Sequence, residues 1–435
     1  MRTAPVRSLT VLTAGGIGLL AALAVPGGAV AGASSPDHSW PGDTPSSISN
    51  PWPTGNPIGN PWPGPKVNAQ QILLGTALQH SFTPAGSMTP VSETLSKPDD
   101  ITRLGDNLFV GFQNGVGPQG EPSADGNQDS TIVELTLSGQ PVAQWDIAGK
   151  ADGVTADSHL NAVIATVNED ANSSLYTITP SASSPVTHYA YNEPLPHAGG
   201  TDAISIYRGQ VFISASAPGT TGAPAPQPTY PAVYSVALDP NTQVATVTPV
   251  FNDGDSATVA NVNSRQFGQP SQLGLTDPDS NEVVPSESQR FGGDFMLTGQ
   301  GDQQQIYVDD AGGSHQTLSV LSLSQAVDDT AWPTDPWGGR LYSTDSTNDA
   351  VDLITGHLGN EQVAVATPCG SNSAPATCPA PPSYPANYLA TVNPWTGQVS
   401  PLSVQGAAYV PEGGLVYVPS HTGFGEDQDG SGDQP

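Results

Sequence analysis

The stretch Lys150–Asp157, K-A-D-G-V-T-A-D, followed after a short polar turn by A-V-I-A-T-V at 162–167, decides how this chain is read. An acid beside a glycine opens a short apolar run. A turn follows, and then six residues rich in Val and Ala. Runs of this length and β-branched content, bounded by Asn, Asp, Gly or Pro, mark strands rather than helices. The same arrangement returns as P-D-D-I (98–101), T-D-A-I (201–204), V-D-D-T (327–330) and P-E-G-G (411–414). The strands expected next in each unit are L-F-V-G, Q-V-F-I-S, R-L-Y-S-T and L-V-Y-V-P.

Aligned on Asp99, Asp152, Asp202, Asp328 and Glu412, the spacings are 53, 50, 126 and 84 residues. The gap of 126 is expected to hold two units. The hidden one should start at S-Q-L-G-L-T (271–276), where the acid is absent. The gap of 84 holds one enlarged unit or two. A second landmark is a polar turn between third and fourth strands: L-D-P-N-T-Q-V (238–244), V-N-P-W-T-G-Q-V (392–399) and, more loosely, L-S-G-Q-P-V (137–142). Asp/Asn-Pro followed by Thr is good turn chemistry. Four strands repeated at about 50–60 residues make one blade of a β-propeller. The sequence therefore predicts an all-β chain with a single propeller over 70–422, of six four-stranded blades, the alternative being seven.

Closure is expected from pairing of N- and C-terminal strands. G-A-A-Y-V-P-E-G-G-L-V-Y-V-P (406–419) supplies two inner strands, and A-L-Q-H-S-F-T-P (77–84) with M-T-P-V-S-E-T-L (88–95) would supply the outer pair. Such sharing removes free sheet edges.

Composition agrees. The 435 residues include 48 Gly and 44 Pro, and only 11% are charged, a turn-heavy balance that favours many short strands. There are 40 Asp plus Glu against 10 Lys plus Arg. No basic surface is available to displace counterions from phosphates, so nucleic acid is excluded as a partner. Anionic membrane surfaces are disfavoured for the same reason. Cations, cationic peptides, neutral sugars and other proteins remain.

The chain opens with Arg2 and Arg7, an apolar stretch from Leu9 to Val25 and small residues at Ala29–Ala33, the pattern of a cleaved secretory signal over 1–33. No later segment is long and apolar enough to span a bilayer. The expectation is a secreted monomer. Residues 34–69 read as a semi-rigid linker, with N-P-W-P at 50–53 and 60–63, and 423–435 as an acidic disordered tail. Cys369 and Cys378, close together in a Gly/Ser/Pro loop of an exported chain, read as a disulfide.

The run V-I-A-T-V-N-E-D-A-N-S-S-L-Y-T-I, Val163–Ile178, together with the D-P-x-T turn, resembles the YVTN-type and NHL/gluconolactonase-like propellers over roughly residues 70–420. The resemblance implies the fold. Those families include binding proteins, lyases and lactonases, so it does not by itself imply one activity. Gluconolactonase-like propellers hold a divalent ion at the central channel, which implies that location for an ion here.

In a propeller the innermost strands converge on the axis. Asp99, Asp152, Asp202, Asp328 and Glu412 would then crowd one mouth of the channel, with Asp100 and Asp329 beside them. On a structural reading each acid ends a loop and precedes a small residue because the axis is crowded. On a functional reading the carboxylates repel, so that some protonate or a cation neutralises them. Ca²⁺ suits such a ring, since it takes six to eight oxygens in irregular geometry. A weaker calcium-loop pattern is S-A-D-G-N-Q-D-S-T, where Asp125, Asn127 and Asp129 alternate but the distal Glu is missing. Hydrolase, zincin and dinucleotide motifs are absent from the sequence. His197, five residues before Asp202, is the one candidate general acid or base.

The function expected from these residues is a secreted binding or interaction protein, and whether it is also an enzyme is left open by the sequence, the balance leaning against. Its ligand, a small molecule, peptide or cell-envelope component, would sit at the acidic channel mouth. The alternatives are a metal-assisted lactonase or lyase and a passive envelope scaffold.

Overall fold

The computed structural model describes residues 66–84, 86–219, 229–335, 338–359, 362–368 and 386–420. The expected signal segment, both N-P-W-P repeats, the Cys369–Cys378 pair and the acidic tail lie outside these residues. Among the described residues the chain is all-β, with only two single-turn 3-10 segments, Gly75–Ala77 and Pro196–Ala198. No helix of the described residues is long and apolar enough to cross a membrane.

Among the described residues, and apart from one separate hairpin, the strands fall into six successive groups. The first runs Pro98–Leu104, Asn107–Phe112, Asp129–Thr136, Pro141–Ala148. The second runs Ala151–Asp157, Ala162–Val167, Ser174–Ile178, Val186–Tyr191. The third runs Ile204–Tyr207, Gln210–Ser214, Pro231–Asp239, Val244–Asn252. At their outer edges the second and third touch in parallel, Ala190 opposite Val244. The fourth runs Pro278–Val283, Phe295–Gly299, Gln304–Asp309, Thr317–Ser322, and Ser256–Val259 with Pro270–Gln272 extends its outer edge.

The second strands are apolar on both faces, as in Ala162–Val167, Phe295–Gly299 and Gln362–Ala366, which are buried throughout. Outermost strands such as Ser403–Gly406 are largely exposed. This gradient arises because the sheets pack against each other. Six apolar clusters fill the spaces between neighbours. Phe109 and Ile132 meet Val163 between first and second sheets, and Ile164 meets Ile213 between second and third. Phe212 meets Phe295 between third and fourth, and Tyr307 meets Ala364 between fourth and fifth. Val363 meets Ile354 between fifth and sixth, and Tyr342 meets Leu108 and Val133 between sixth and first. The last cluster returns to the first sheet, so the succession is cyclic. Each wholly buried large side chain, Phe109 for example, stabilises by about 1.5–3 kcal/mol through apolar burial.

The fifth and sixth groups depart from chain order. Val327–Ala331 pairs with Gln362–Ala366, which continues to Tyr388–Val392 and Val399–Pro401. The intervening hairpin, Arg340–Asp345 with Ala350–Gly356, leaves for the sixth sheet and pairs there with Leu415–Val418. R-L-Y-S-T is thus not the second strand of the unit opened by V-D-D-T, contrary to expectation. Eight residues, including Pro333 and Pro336, separate it from Ala331, too many for a tight hairpin turn and too proline-rich to reverse directly.

Closure does join N- and C-terminal strands, but through a different segment. Lys66–Leu74 pairs antiparallel with Ala350–Gly356 and parallel with Ser403–Gly406. It begins inside the stretch read as linker. The segments expected to close the ring, 77–84 and 88–95, pair with each other instead. Gln79–Phe82 and Val91–Thr94 form a separate hairpin, because the inner edge is already filled by Arg340–Gly356. The hidden fourth unit also starts later than expected, at Pro278, while Pro270–Gln272 lies at the opposite edge of the same sheet.

Candidate functional site: a ring of buried carboxylates

Four of the innermost strands open with a register shift: Pro98/Ile101, Ala151/Val154, Pro278/Ser280 and Val327/Thr330. A bulge inserts an extra residue and re-aims the side chains there. The acids Asp99, Asp152, Asp279 and Asp328 sit at these bulges. Asp202 and Glu412 occupy the corresponding approach to the third and sixth innermost strands.

The structure brings all five acids expected from the sequence into one electrostatic neighbourhood and adds Asp279. Burial, followed by Asp152, holds the Asp99 carboxyl well above the usual range. Burial and then Asp279 do the same to Asp202. Burial and then Asp328 raise Asp279, and burial raises Asp328, with Asp329, Asp99 and Glu412 adding to it. Burial also raises Glu412. After burial, the charge of Asp328 is the next largest cause of the rise at Asp279, whose Oδ2 accepts the Gln300 side-chain amide at 2.6 Å. Two carboxyls this close cannot both ionise freely.

Lys150 is the cation within this set. Its Nζ lies 2.9 Å from Asp152 Oδ1 and also pairs with Glu169. Burial pushes Asp152 up, Lys150 pulls it down, and the balance leaves it at about 7. Asp152 is 6% exposed, and its Oδ2, like Asp202 Oδ1, has no hydrogen-bond partner. Asp99, Asp202, Asp279 and Asp328 keep part of their surface accessible.

The second acids of the D-D pairs have another task. Asp100 accepts the backbone N–H of Val154 through Oδ2 and that of Ile101 at 2.6 Å through Oδ1. Asp329 Oδ2 accepts the N–H of Leu415 at 2.6 Å. Each braces its strand to an innermost strand of a neighbouring sheet. Glu282 accepts the indole N–H of Trp332 at 3.0 Å and the Thr330 hydroxyl. Burial raises Glu282 and Asp329, and each is raised further by Asp100, so these three form a second acidic tier.

The small residues beside the acids are required by close backbone approach. A Cβ on Gly153 would lie 2.7 Å from the Asp202 carbonyl oxygen, and one on Gly414 2.6 Å from that of Asp99. Both contacts are far inside van der Waals distance. The structural reading of the acid–small pair is therefore correct for packing, alongside whatever the carboxylates bind.

Other sequence candidates lie elsewhere. His197 Nδ1 is 2.7 Å from the Ala217 carbonyl oxygen, and its ring meets Tyr230 edge-on. Its contacts are with Ala217 and Tyr230 rather than the Asp202 carboxylate. Asn127 is engaged in a local turn, accepting the Asp129 N–H at 2.9 Å. Asp125 accepts Ser123 Oγ and shares a hydrogen bond with Glu93. Among the described residues no group of three or more His, Cys, Asp or Glu is arranged to hold a metal ion.

Sequence reasoning missed Asp279, because the fourth unit was started at Ser271. The signal was present in T-D-P-D-S-N (276–281), where an acid precedes a small residue. It also missed Glu282 and the role of Lys150, whose partners are distant in sequence.

No protein-family model matches the chain, and no curated protein matches it. Solved structures do. A hydrazine synthase of Kuenenia stuttgartiensis is 11% identical, with 71% of this chain and 65% of that chain covered and a TM-score of 0.36. The chain thus spans just under two thirds of that protein. A periplasmic gluconolactonase of Pseudomonas aeruginosa is 14% identical over 81% of this chain and 99% of that one, with a TM-score of 0.38. The WD40 domain of a Toxoplasma gondii coronin is 11% identical over 63% and 59%, with a TM-score of 0.33. At these values none assigns an activity.

Proposed function

We propose that the chain is a single six-bladed β-propeller, exported from the cell, that binds a cationic group at a carboxylate ring around its axis. The observation carrying this reading is the convergence of one acid from each innermost strand, Asp99, Asp152, Asp202, Asp279, Asp328 and Glu412, on a neighbourhood where Lys150 pairs with Asp152 and lowers Asp99 and Glu412 but offsets none of the rise at Asp202, Asp279 or Asp328. Each of the six carboxyls is raised above its ordinary value, so each is held at a cost that a bound cation would relieve. Asp152 Oδ2 and Asp202 Oδ1 are acceptors still to be satisfied. The six-blade count is supported by six sheet-to-sheet clusters that return on themselves.

The cation favoured is organic, an ammonium or guanidinium group on a small molecule or peptide. The carboxylates are spread around the ring, and no three of the described acids gather on one point as a single metal ion needs. Calcium, which the family resemblance implies, is the competing ligand.

Thermal unfolding at pH 7.5 and low salt, with spermidine or CaCl₂ added, tests this. Spermidine should raise the midpoint, and Asp202→Asn with Asp279→Asn should abolish the rise. That double change removes only two charges from a chain of net charge −30, so non-specific attraction is nearly unchanged. A rise with calcium alone, lost in the same variant, would replace the organic cation by a metal. No response to either ligand would remove the ring as a binding site.

A further inference from the structure

Away from the ring, the fourth sheet's outer edge and the fifth sheet's N-P-W-T-G-Q turn form a solvent-open cleft with a cavity volume of about 410 Å³. Its size falls in the range of small-molecule sites, ~300–1,000 Å³. Its lining is unusual for this chain. In a protein with 40 acidic residues, no Asp, Glu, Lys, Arg or His lines it. The wall is made of Asn, Gln, Ser and Thr side chains with only Val259, Val320 and Leu323 as apolar members.

Some of these groups build the wall. Asn261 donates through Nδ2 to the carbonyl oxygens of Ser322 at 2.8 Å and Thr396 at 2.9 Å, and accepts the Ser322 N–H at 2.9 Å. It ties the turn to the sheet. Gly397 sits so close to Ser322 that a Cβ would overlap its carbonyl oxygen, at 1.9 Å. The Arg290 guanidinium donates to the carbonyl oxygens of Ala260 and Pro394 and stacks over Trp395, 4.8 Å from its ring centre. The two sheets are thereby held at fixed spacing around the cavity.

Other groups are left over. The side-chain amides of Asn263, Gln266 and Gln272 are exposed along the cleft, and among the described residues none has a protein hydrogen-bond partner. Gln304 Oε1 is buried, lines the cavity and has no partner. An unsatisfied buried acceptor is costly, and a ligand hydroxyl would satisfy it. At the rim Trp395, next to lining Thr396, is 43% exposed, and Phe267, next to lining Gln266, is 51% exposed.

This combination selects the ligand class. With no charge in the wall, an ionised ligand would lose its hydration uncompensated. With few apolar groups, a hydrocarbon would strand the amides. Carboxamides both donate and accept, which matches hydroxyl groups that do the same. Exposed aromatic faces beside such amides suit the C–H face of a sugar ring. We propose that this cavity binds a neutral saccharide of one or two pyranose units, at a site separate from the carboxylate ring.

Saturation-transfer NMR on the full chain tests it, with glucose, galactose, mannose, N-acetylglucosamine and cellobiose each at about 10 mM, a concentration that populates weak millimolar sites. At least one should give transfer to its ring protons. Gln266→Ala with Gln272→Ala, both exposed, should weaken that sugar's binding at least tenfold, and Trp395→Ala should do the same. Absence of transfer from all five sugars overturns the proposal. So does transfer that is unchanged in both variants while circular dichroism shows them folded.

Discussion

Asp279 and Asp328, on the innermost strands of the fourth and fifth sheets, are close enough that, after burial, the charge of Asp328 does most to raise the Asp279 carboxyl. Neither strand makes sense of this alone. Asp328 opens a V-D-D-T unit in which its neighbour Asp329 braces Leu415, while Asp279 lies at a bulge beside Ser280, whose hydroxyl donates to the Asp328 carbonyl oxygen at 3.1 Å. The two strands are stitched together at the point where their charges would otherwise part them.

The first prediction is that the fold becomes more stable on acidification. Asp100, Asp152 and Asp352 are each pushed up to about 7 by burial, and Asp99, Asp202, Asp279 and Asp328 are raised well above the usual range. A carboxyl raised in the folded chain binds its proton more tightly there than in the unfolded chain. Its stabilising effect is complete below the unfolded value of about 3.9 and is lost as pH rises through the folded value. Urea unfolding between pH 4.5 and 8, in the absence of added cations, should show the midpoint falling as pH rises, most steeply between the unfolded value and about 7, with the slope easing beyond it. A midpoint that climbs over that window would contradict the raised carboxyls.

A second prediction concerns His80. Its ring is 3% exposed, with Nε2 2.9 Å from Glu93 Oε1 and Nδ1 3.3 Å from Asp146 Oδ1, joining the N-terminal hairpin to the outer strand of the first sheet. Burial alone lowers its pKa, but hydrogen bonds and charge from Asp146 and Glu93 outweigh that and leave it raised. Its contribution is therefore present below about 6.5 and lost as pH rises past the folded value. His80→Ala should cost about 1–3 kcal/mol at pH 6 and less at pH 8. Chemical denaturation of both proteins at the two pH values measures the difference.

The third prediction tests backbone crowding at the axis. Gly414→Val places a branched side chain where even a Cβ would stand 2.6 Å from the Asp99 carbonyl oxygen, so the sixth and first sheets must separate. The loss should be about 1–3 kcal/mol or more, as for overpacked interiors. The same change at Gly209, where a Cβ would meet nothing but the φ is +73°, should cost only local backbone strain. Equal melting points for the two variants would argue against tight convergence of the innermost strands.

A fourth prediction addresses closure. Lys66–Leu74 supplies a strand between Ala350–Gly356 and Ser403–Gly406, and Val67, Ala69 and Leu73 are buried there. A chain starting at Lys66 should fold as the longer one does. A chain starting at Thr76 should lose cooperative unfolding or melt well below it, because a sheet edge and three buried apolar side chains are exposed. Native-like melting of the shorter chain would refute the closing role.

The sequence by itself determined the all-β class, most strand positions and the acids Asp99, Asp152, Asp202, Asp328 and Glu412 at the approaches to the innermost strands. Those features are local: V-I-A-T-V is a strand and D-P-N-T a turn whatever surrounds them, because β-branched content and turn chemistry act over a few residues. Only the tertiary structure decided partners. The hairpin Arg340–Gly356 is apolar enough to suit a neighbouring sheet as well as its own, and it joined the sixth because a long proline-bearing connection carried it there. The closing strand, the Ser280–Asp328 hydrogen bond and the His80 cluster likewise join segments far apart in the chain. Their pairing is set by which surfaces meet when the sheets pack, and a pattern read along one strand carries no record of the strand it will face.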